Sequence, residues 1–281
     1  MLEKIRFYLT IILGSILYIF LIFKFFDEAK RVNFNFIFSL NNLTLIIISF
    51  FLTIFLILSQ SLFLKTILKS FDIEINLKES IDYWLIFVAT GVFTAGLSMP
   101  ILIFNKLKNL KRSYSESIFI IILYYLIYIL SIFLLFTIFF FKKFYLVLFL
   151  IFLTIFIILL KIPYEFLEKK EKFLKGILTA ILIPFLSEFI YFLFFLISFN
   201  IVKINLGLSL VLKSFLVSQI FSIISPTGGG LGFIEPILIY YLSLFKLNMA
   251  KIILATFLYR FFTFWIPAFL GAFIIIKRKI K

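Results

Sequence analysis

Apolar runs of about 20 residues recur along the whole chain, and they constrain its fold more than any other feature. A run of this length, folded as a helix, crosses roughly 30 Å of hydrocarbon. Hydrophobic residues make up 64% of the 281 residues, which is more apolar surface than one soluble domain can cover. The strands of a membrane β-barrel would alternate polar and apolar residues instead. The sequence therefore predicts an all-α integral membrane protein.

The basic residues between the runs predict how the chain crosses the membrane. The apolar runs lie near residues 5–25, 43–64, 80–104, 115–141, 144–162, 177–199, 206–245 and 251–276. Basic clusters favour the cytoplasmic side, so we expect both termini in the cytoplasm and the protein in the cell membrane. If 80–104 crossed once, the basic cluster at 106–112 would lie outside. We therefore predict that 80–104 enters from the cytoplasm and returns.

The same rule makes 206–245 begin and end outside, so we predict six full transmembrane helices and two re-entrant, broken-helix segments. Gly91, Gly96 and Pro100 would interrupt the first segment, and "SPTGGGLGFIEP" the second. Non-helical backbone at membrane depth needs protein or a water-filled cavity to satisfy its polar groups. The alternative is that these glycines and prolines only kink continuous helices.

The predicted layout divides one polytopic domain, residues 1–281, into two halves of opposite topology. The first half is 1–141 and the second is 142–281. Inverted repeats whose broken helices meet near the bilayer midplane are typical of transporters, and the broken segments indicate the binding site. Topology alone supports this inverted repeat, because the two halves have no clear residue-level similarity.

The second broken segment carries the predicted headgroup-binding site. Free backbone N–H groups and a helix N-terminus attract anions such as a lipid phosphate. We expect Pro236 to open the outgoing helix, with Glu235 at its start. The site residues predicted in this segment are Thr227, Gly228, Gly229, Gly230, Gly232 and Glu235.

Other polar residues within apolar runs extend the predicted site. Arg260 is the expected partner of Glu235, because charges at membrane depth pair or line a water-filled path. A purely structural ion pair is the alternative. Lys213 is also assigned to headgroup binding, unless it snorkels to the interface. Glu188 and Gln219 are assigned to an additional polar path, the alternative being helix-to-helix hydrogen bonds.

Several chemistries are excluded by composition. The chain has no cysteine and no histidine, which removes disulfides, thiol and imidazole catalysis and the usual zinc or haem ligands. We expect no catalytic residues, no metal and no cofactor. "GGGLG" lacks the lysine of a phosphate-binding loop. The net charge of +15 lies in clusters between apolar runs, which indicates contact with lipid headgroups and not with nucleic acid.

Two motifs carry a family resemblance. "SPTGGGLGFIE", followed by "LYRFFTFWIPAFLG", resembles the signature of the lysylphosphatidylglycerol synthase transmembrane region, a flippase-like family. The similarity is strongest over residues 206–276. It implies a transporter that moves the headgroup of an aminoacyl-phospholipid or a polyprenyl-phosphate sugar between leaflets. Those lipids are the expected partners, together with a separate lipid-modifying synthase.

Within this resemblance, the name phosphatidylglycerol lysyltransferase would not describe the chemistry expected of this chain. In bifunctional members of the family, a separate cytosolic domain makes the aminoacylated lipid. This chain ends five residues after its last predicted helix, so we expect no enzymatic activity. Two alternatives remain: a lipid-binding membrane subunit of a lipid-modifying enzyme, and direct group transfer by acidic residues.

Overall fold

A computed structural model describes residues 39–91, 98–110, 112–140, 170–225, 230 and 232–279, together with positions 150, 153 and 157. Within these ranges every regular secondary-structure element is a helix. The helices are α1 (Leu40–Ser70), α2 (Leu77–Gly91), α3 (Ser98–Asn109), α4 (Tyr114–Phe140), α5 (Lys170–Ile201), α6 (Leu208–Ile224), α7 (Ile234–Ser243), α8 (Met249–Arg260) and α9 (Ile266–Lys279). A single π-helical turn, Phe261–Trp265, joins α8 to α9.

Four helical stretches are long and apolar enough to cross a membrane. They are Leu40–Ser70, Tyr114–Leu135, Lys175–Ile201 and Met249–Arg278. Each coincides with a predicted transmembrane run, which confirms a helical membrane protein. The predicted helices at 5–25 and 144–162 lie outside the described residues, apart from three positions of the second. The full count of six therefore stays a prediction.

The chain divides into two compact units that alternate along the sequence. Unit 1 comprises the described parts of Met1–Phe55, Leu85–Ser98 and Tyr191–Lys281. Unit 2 comprises the described parts of Leu56–Trp84 and Met99–Ile190. These units are not the two sequence halves, 1–141 and 142–281, and the inverted repeat of those halves stays a prediction.

The two ends of the first predicted re-entrant segment lie close together in unit 2. Glu79 lies in the first turn of α2 and Lys106 in the last turn of α3, and Lys106 Nζ is 2.7 Å from Glu79 Oε1. A straight helix would separate these residues by about 40 Å, at 1.5 Å per residue. The chain therefore reverses direction between the two residues.

The helices on either side of this segment meet at the same end of unit 2. Arg112, just before α4, donates from Nη2 to the carbonyl of Phe71, just after α1, at 3.3 Å. The connection from α1 to α2 is six residues long. The end of α1, the start of α2, the end of α3 and the start of α4 thus lie near one another.

In unit 1, the second predicted re-entrant segment is a helical hairpin. Helix α6 packs against α7, and α7 packs against α8. Lys251, in the first turn of α8, donates from Nζ to the carbonyl of Lys203, in the loop before α6, at 3.4 Å. The chain thus leaves α7 close to the loop from which it entered α6.

Large aromatic side chains fill the interior of each unit. In unit 2, Phe63 stacks on Tyr124 with ring centroids 4.7 Å apart. In unit 1, Phe195 stacks on Phe199 at 4.6 Å and meets Tyr259 edge to face at 5.5 Å. Such pairs add directional contacts where lipid gives helices no hydrophobic reason to associate.

Gly271 allows α9 to approach α2 very closely within unit 1. A Cβ atom at Gly271 would overlap the carbonyl oxygen of Leu85 and would contact the Cβ of Ala89 at 2.9 Å. A backbone carbonyl cannot move aside as the end of a side chain can. Small residues at such crossings are typical of helix packing in membranes.

We predict that Gly271→Ala destabilises the protein by about 1–3 kcal/mol, the usual cost of overpacking. Gly207→Ala is the matched control, because a Cβ at Gly207 meets nothing within 4 Å. Its change should stay within about 0.5 kcal/mol, as at most unconstrained positions. Unfolding of both purified variants in detergent checks this, and equal stabilities would contradict the close α2–α9 packing.

Candidate functional site

Two glycines shape the described part of the turn between α6 and α7. Gly230 and Gly232 have φ values of 70° and 74°, in the left-handed region that glycine enters without strain. A Cβ at Gly230 would also collide with the side chain of Ile234. Both glycines are buried. The predicted site residues Thr227, Gly228 and Gly229 lie outside the described residues.

Helix α7 begins earlier than the sequence suggested. Its first residue is Ile234, so Pro236 is the third residue and not the first. Pro236 still lies in the first turn, where a missing N–H removes no intrahelical hydrogen bond. Glu235 is the second residue of α7, and a carboxylate there interacts favourably with the helix dipole.

Glu235 and Arg260 form a buried ion pair in unit 1. Arg260 Nε donates to Glu235 Oε1 at 2.7 Å, and the two side chains are 7% and 12% exposed, respectively. The backbone N–H of Gly232 donates to the other oxygen, Oε2, also at 2.7 Å. Both short contacts are charge-assisted. The predicted pairing of α7 with α8 through these two residues is therefore present in the structure.

The guanidinium of Arg260 also rests on an aromatic ring. Its Cζ atom lies 4.9 Å from the centre of Phe264, close enough for a cation–π contact. The π-helical turn that begins immediately after Arg260 contains Phe264. Thr53 on α1 donates to the carbonyl of Phe262 in this turn at 3.3 Å. Such π-turns occur frequently at functional sites.

Gln219 lies in the same buried region of unit 1. Its side-chain amide approaches the hydroxyl of Tyr259, the neighbour of Arg260, at 3.5 Å, which is long for a hydrogen bond. Ser222 donates to the Gln219 carbonyl at 2.7 Å. Thr256 lies one helical turn before Arg260, and its buried hydroxyl has no hydrogen-bond partner within the described ranges.

The structure does not bring every predicted residue to this cluster. Lys213 is exposed on α6, whereas Ser214 beside it is fully buried. That placement suits a lysine that snorkels along the surface. Glu188 is fully buried in α5 and belongs to unit 2. The cluster in unit 1 thus consists of Glu235, Arg260, Gly232 and Gln219, with aromatic residues around them.

Sequence reasoning missed three contributors to this cluster. Tyr259 and Phe264 were two of the many aromatic residues in an apolar run, and Thr53 lies more than 200 positions from the carbonyl it contacts. The π-helical turn has no sequence signal that distinguishes it from a continuous helix. Only the polar residues at membrane depth could be identified from the sequence.

The geometry assigns Glu235 to the position where an anion was expected. The Gly232 N–H and the Arg260 guanidinium are suitable donors for a phosphate, and both bind the Glu235 carboxylate in this conformation. The chain therefore supplies its own anion at this position. An incoming anionic group would have to replace Glu235 or bind beside it.

The lysylphosphatidylglycerol synthase TM region matches residues 87–271 of the chain. The chain belongs to this family. The matched range includes Glu188, Glu235 and Arg260, and it confirms the resemblance carried by "SPTGGGLGFIE". Comparisons with curated proteins and with solved structures gave no match. The family assignment identifies a membrane region associated with lipid headgroup chemistry.

We predict that Arg260→Met destabilises the protein by about 3–5 kcal/mol, because it leaves the Glu235 carboxylate buried without its partner. The double variant Glu235→Gln/Arg260→Met should recover about 1–3 kcal/mol of that loss. Unfolding of both single variants and of the double variant in detergent measures the coupling free energy between Glu235 and Arg260. Strictly additive effects would contradict a direct interaction.

Proposed function

We propose that the protein is a flippase-like transporter that moves a polar or anionic lipid headgroup between leaflets. The buried Glu235–Arg260 pair carries this proposal, because a guanidinium at membrane depth is costly unless it has a partner or a function. The proposed substrates are an aminoacyl-phospholipid and a polyprenyl-phosphate sugar, which both place a phosphate beside a polar group. The lipid tails would stay in the bilayer.

In the proposed mechanism, Glu235 holds Arg260 until a headgroup arrives. The lipid phosphate competes with the carboxylate for the guanidinium and for the Gly232 N–H. Arginine binds carboxylate and phosphate with similar fork-like geometry, so either anion can occupy the same donors. When the headgroup leaves, Glu235 returns to Arg260. The internal carboxylate thus keeps the site neutral between transport events.

The two helical reversals support placing this site within the membrane. We propose that α2–α3 and α6–α7 are re-entrant segments, entering from opposite sides. The Glu79–Lys106 ion pair and the Lys251–Lys203 contact support this, because each joins the two ends of one segment. With both termini in the cytoplasm of the cell, the basic clusters would contact anionic lipid headgroups.

A second candidate function is a lipid-binding membrane subunit of a lipid-modifying enzyme. The mutual satisfaction of Glu235 and Arg260 favours it, since a pair this well bonded can simply fix α7 against α8. This candidate predicts a stable complex with a separate synthase and no lipid movement by the purified chain. Copurification together with a transport assay distinguishes the two candidates.

We predict that the purified protein accelerates headgroup movement in liposomes and that Arg260→Lys slows it by about tenfold or more, a barrier increase of about 1.4 kcal/mol. Lysine keeps the charge but loses the guanidinium fork. One set of proteoliposomes carries lysylphosphatidylglycerol, detected by an amine reagent that cannot cross the membrane. A second set carries a polyprenyl-phosphate hexose.

The matched control is Arg278→Lys, the same substitution at an exposed position in the last turn of α9. It should transport at the wild-type rate. Equal rates for Arg260→Lys and wild type, at equal protein content, would remove Arg260 from the mechanism. If neither lipid moves faster than in protein-free liposomes, the transport proposal fails for these substrates.

A further inference from the structure

Glu188 is a buried carboxyl group that the Glu235–Arg260 site does not use. It lies on α5 in unit 2 and has no exposed surface. Among the described residues, neither of its carboxyl oxygens completes a hydrogen bond. A charged carboxylate without hydrogen bonds or a counter-ion is strongly disfavoured in such surroundings. Something must neutralise this group.

In the described part of unit 2, the neighbouring helices bring hydroxyl groups close to Glu188. Tyr128 on α4 lies close enough to interact with the carboxyl. One residue before Glu188, Ser187 donates to Ser59 Oγ on α1 at 2.9 Å. Ser131 on α4 donates to the carbonyl of Ile181 on α5 at 3.2 Å. These contacts place Glu188 within a junction of α1, α4 and α5.

The titratable groups on the two neighbouring helices are few. Helix α1 has none between Leu40 and Leu64. At the level of the junction, α4 has only Tyr124, Tyr125 and Tyr128, and its one acidic residue, Glu116, lies in its first turn near Arg112. Within the described residues, no group of three acidic side chains could hold a metal ion. A proton is the neutralising species that needs the fewest ligands.

Pro184 lies one helical turn before Glu188 in α5. Proline has no N–H, so the carbonyl of Ala180 lacks its usual donor and the helix is weakened at this turn. A weakened turn directly before a buried carboxyl is a place where the helix can bend and admit water. Membrane transporters use such intramembrane acidic residues as proton carriers.

We propose that Glu188 is an intramembrane proton-binding site and, building on the proposed headgroup transport, that its proton is released and taken up as the headgroup moves. In this proposal, the described conformation is the one with the carboxyl protonated. Deprotonation converts the carboxyl to a carboxylate and transfers one proton to water. Glu188 thus acts separately from the Glu235–Arg260 pair, whose charges neutralise each other.

The protonated state can be tested without any transport. Infrared spectra of the purified protein in a maltoside detergent, which has no carbonyl group, should contain a carboxylic acid C=O band at about pH 7, where exposed carboxyls are ionised. Glu188→Gln should lose this band. The matched control is Glu74→Gln, in an exposed loop, and it should keep the band.

A spectrum of the wild type without this band would overturn the proposed proton site. So would a band of equal intensity in folded Glu188→Gln protein. Glu188→Asp provides a second variant, because it retains a carboxyl and should shift the band without removing it. If Glu188→Gln does not fold, the absence of the band in the wild type or an unshifted band in Glu188→Asp overturns the proposal.

Coupling to transport is tested in the same proteoliposomes that carry lysylphosphatidylglycerol. An imposed pH gradient should change the wild-type rate severalfold, whereas Glu188→Gln should respond to neither sign of the gradient. A wild-type rate that ignores the gradient would overturn the coupling. If this lipid does not move but the Glu188 band is present, the proton site stands and transport of lysylphosphatidylglycerol is excluded.

Discussion

The ion pair between Arg260 and Glu235 is the interaction on which the described part of unit 1 depends. It joins the short helix α7 to α8, and α7 in turn packs against α6. Removing one partner would leave a buried charge, whereas lipid offers no compensating hydration. The Gly232 N–H adds a third group to the pair, so the turn conformation and the ion pair stabilise each other.

Glycine is required in this turn for two separate reasons. Positive φ at Gly230 and Gly232 aims the backbone so that the Gly232 N–H reaches the Glu235 carboxylate. The absence of a side chain at Gly230 leaves room for Ile234, the first residue of α7. The glycine-rich stretch in an apolar chain is therefore explained in part by local geometry. The same geometry provides donors that suit an anionic headgroup.

Much of the fold was accessible from the sequence because membranes impose simple rules. Apolar run length predicted the four long helices, and basic clusters indicated that 80–104 turns back, as the Glu79–Lys106 contact supports. Charge at membrane depth identified Arg260 and Glu235 before their geometry was known. The start of α7 was misplaced by two residues, because a proline in the first turn does not fix which position it occupies.

Long-range contacts were not accessible in this way. The Thr53 contact with Phe262 depends on which helices pack against each other, and the hydropathy pattern does not predict that. The exposure of Lys213 depends on how α6 is rotated about its axis. The composition of this apolar helix does not show which of its faces is exposed. The same rotational freedom explains why Glu188 could be identified as polar but its neighbours on α1 and α4 could not be predicted.

Glu188 and the Glu235–Arg260 pair represent two different solutions to the cost of burying a carboxyl group. In unit 1, a cation and a backbone donor neutralise and bind the carboxylate, so the charged form persists at depth. In unit 2, the described neighbouring helices offer hydroxyl groups and aromatic rings, which favour the neutral carboxyl that we propose for Glu188. A group that exchanges a proton and a pair that exchanges anionic partners are complementary. The two carboxyl groups would thus contribute to the proposed transport in different ways, Glu188 by exchanging a proton and Glu235 by yielding Arg260 to the headgroup phosphate.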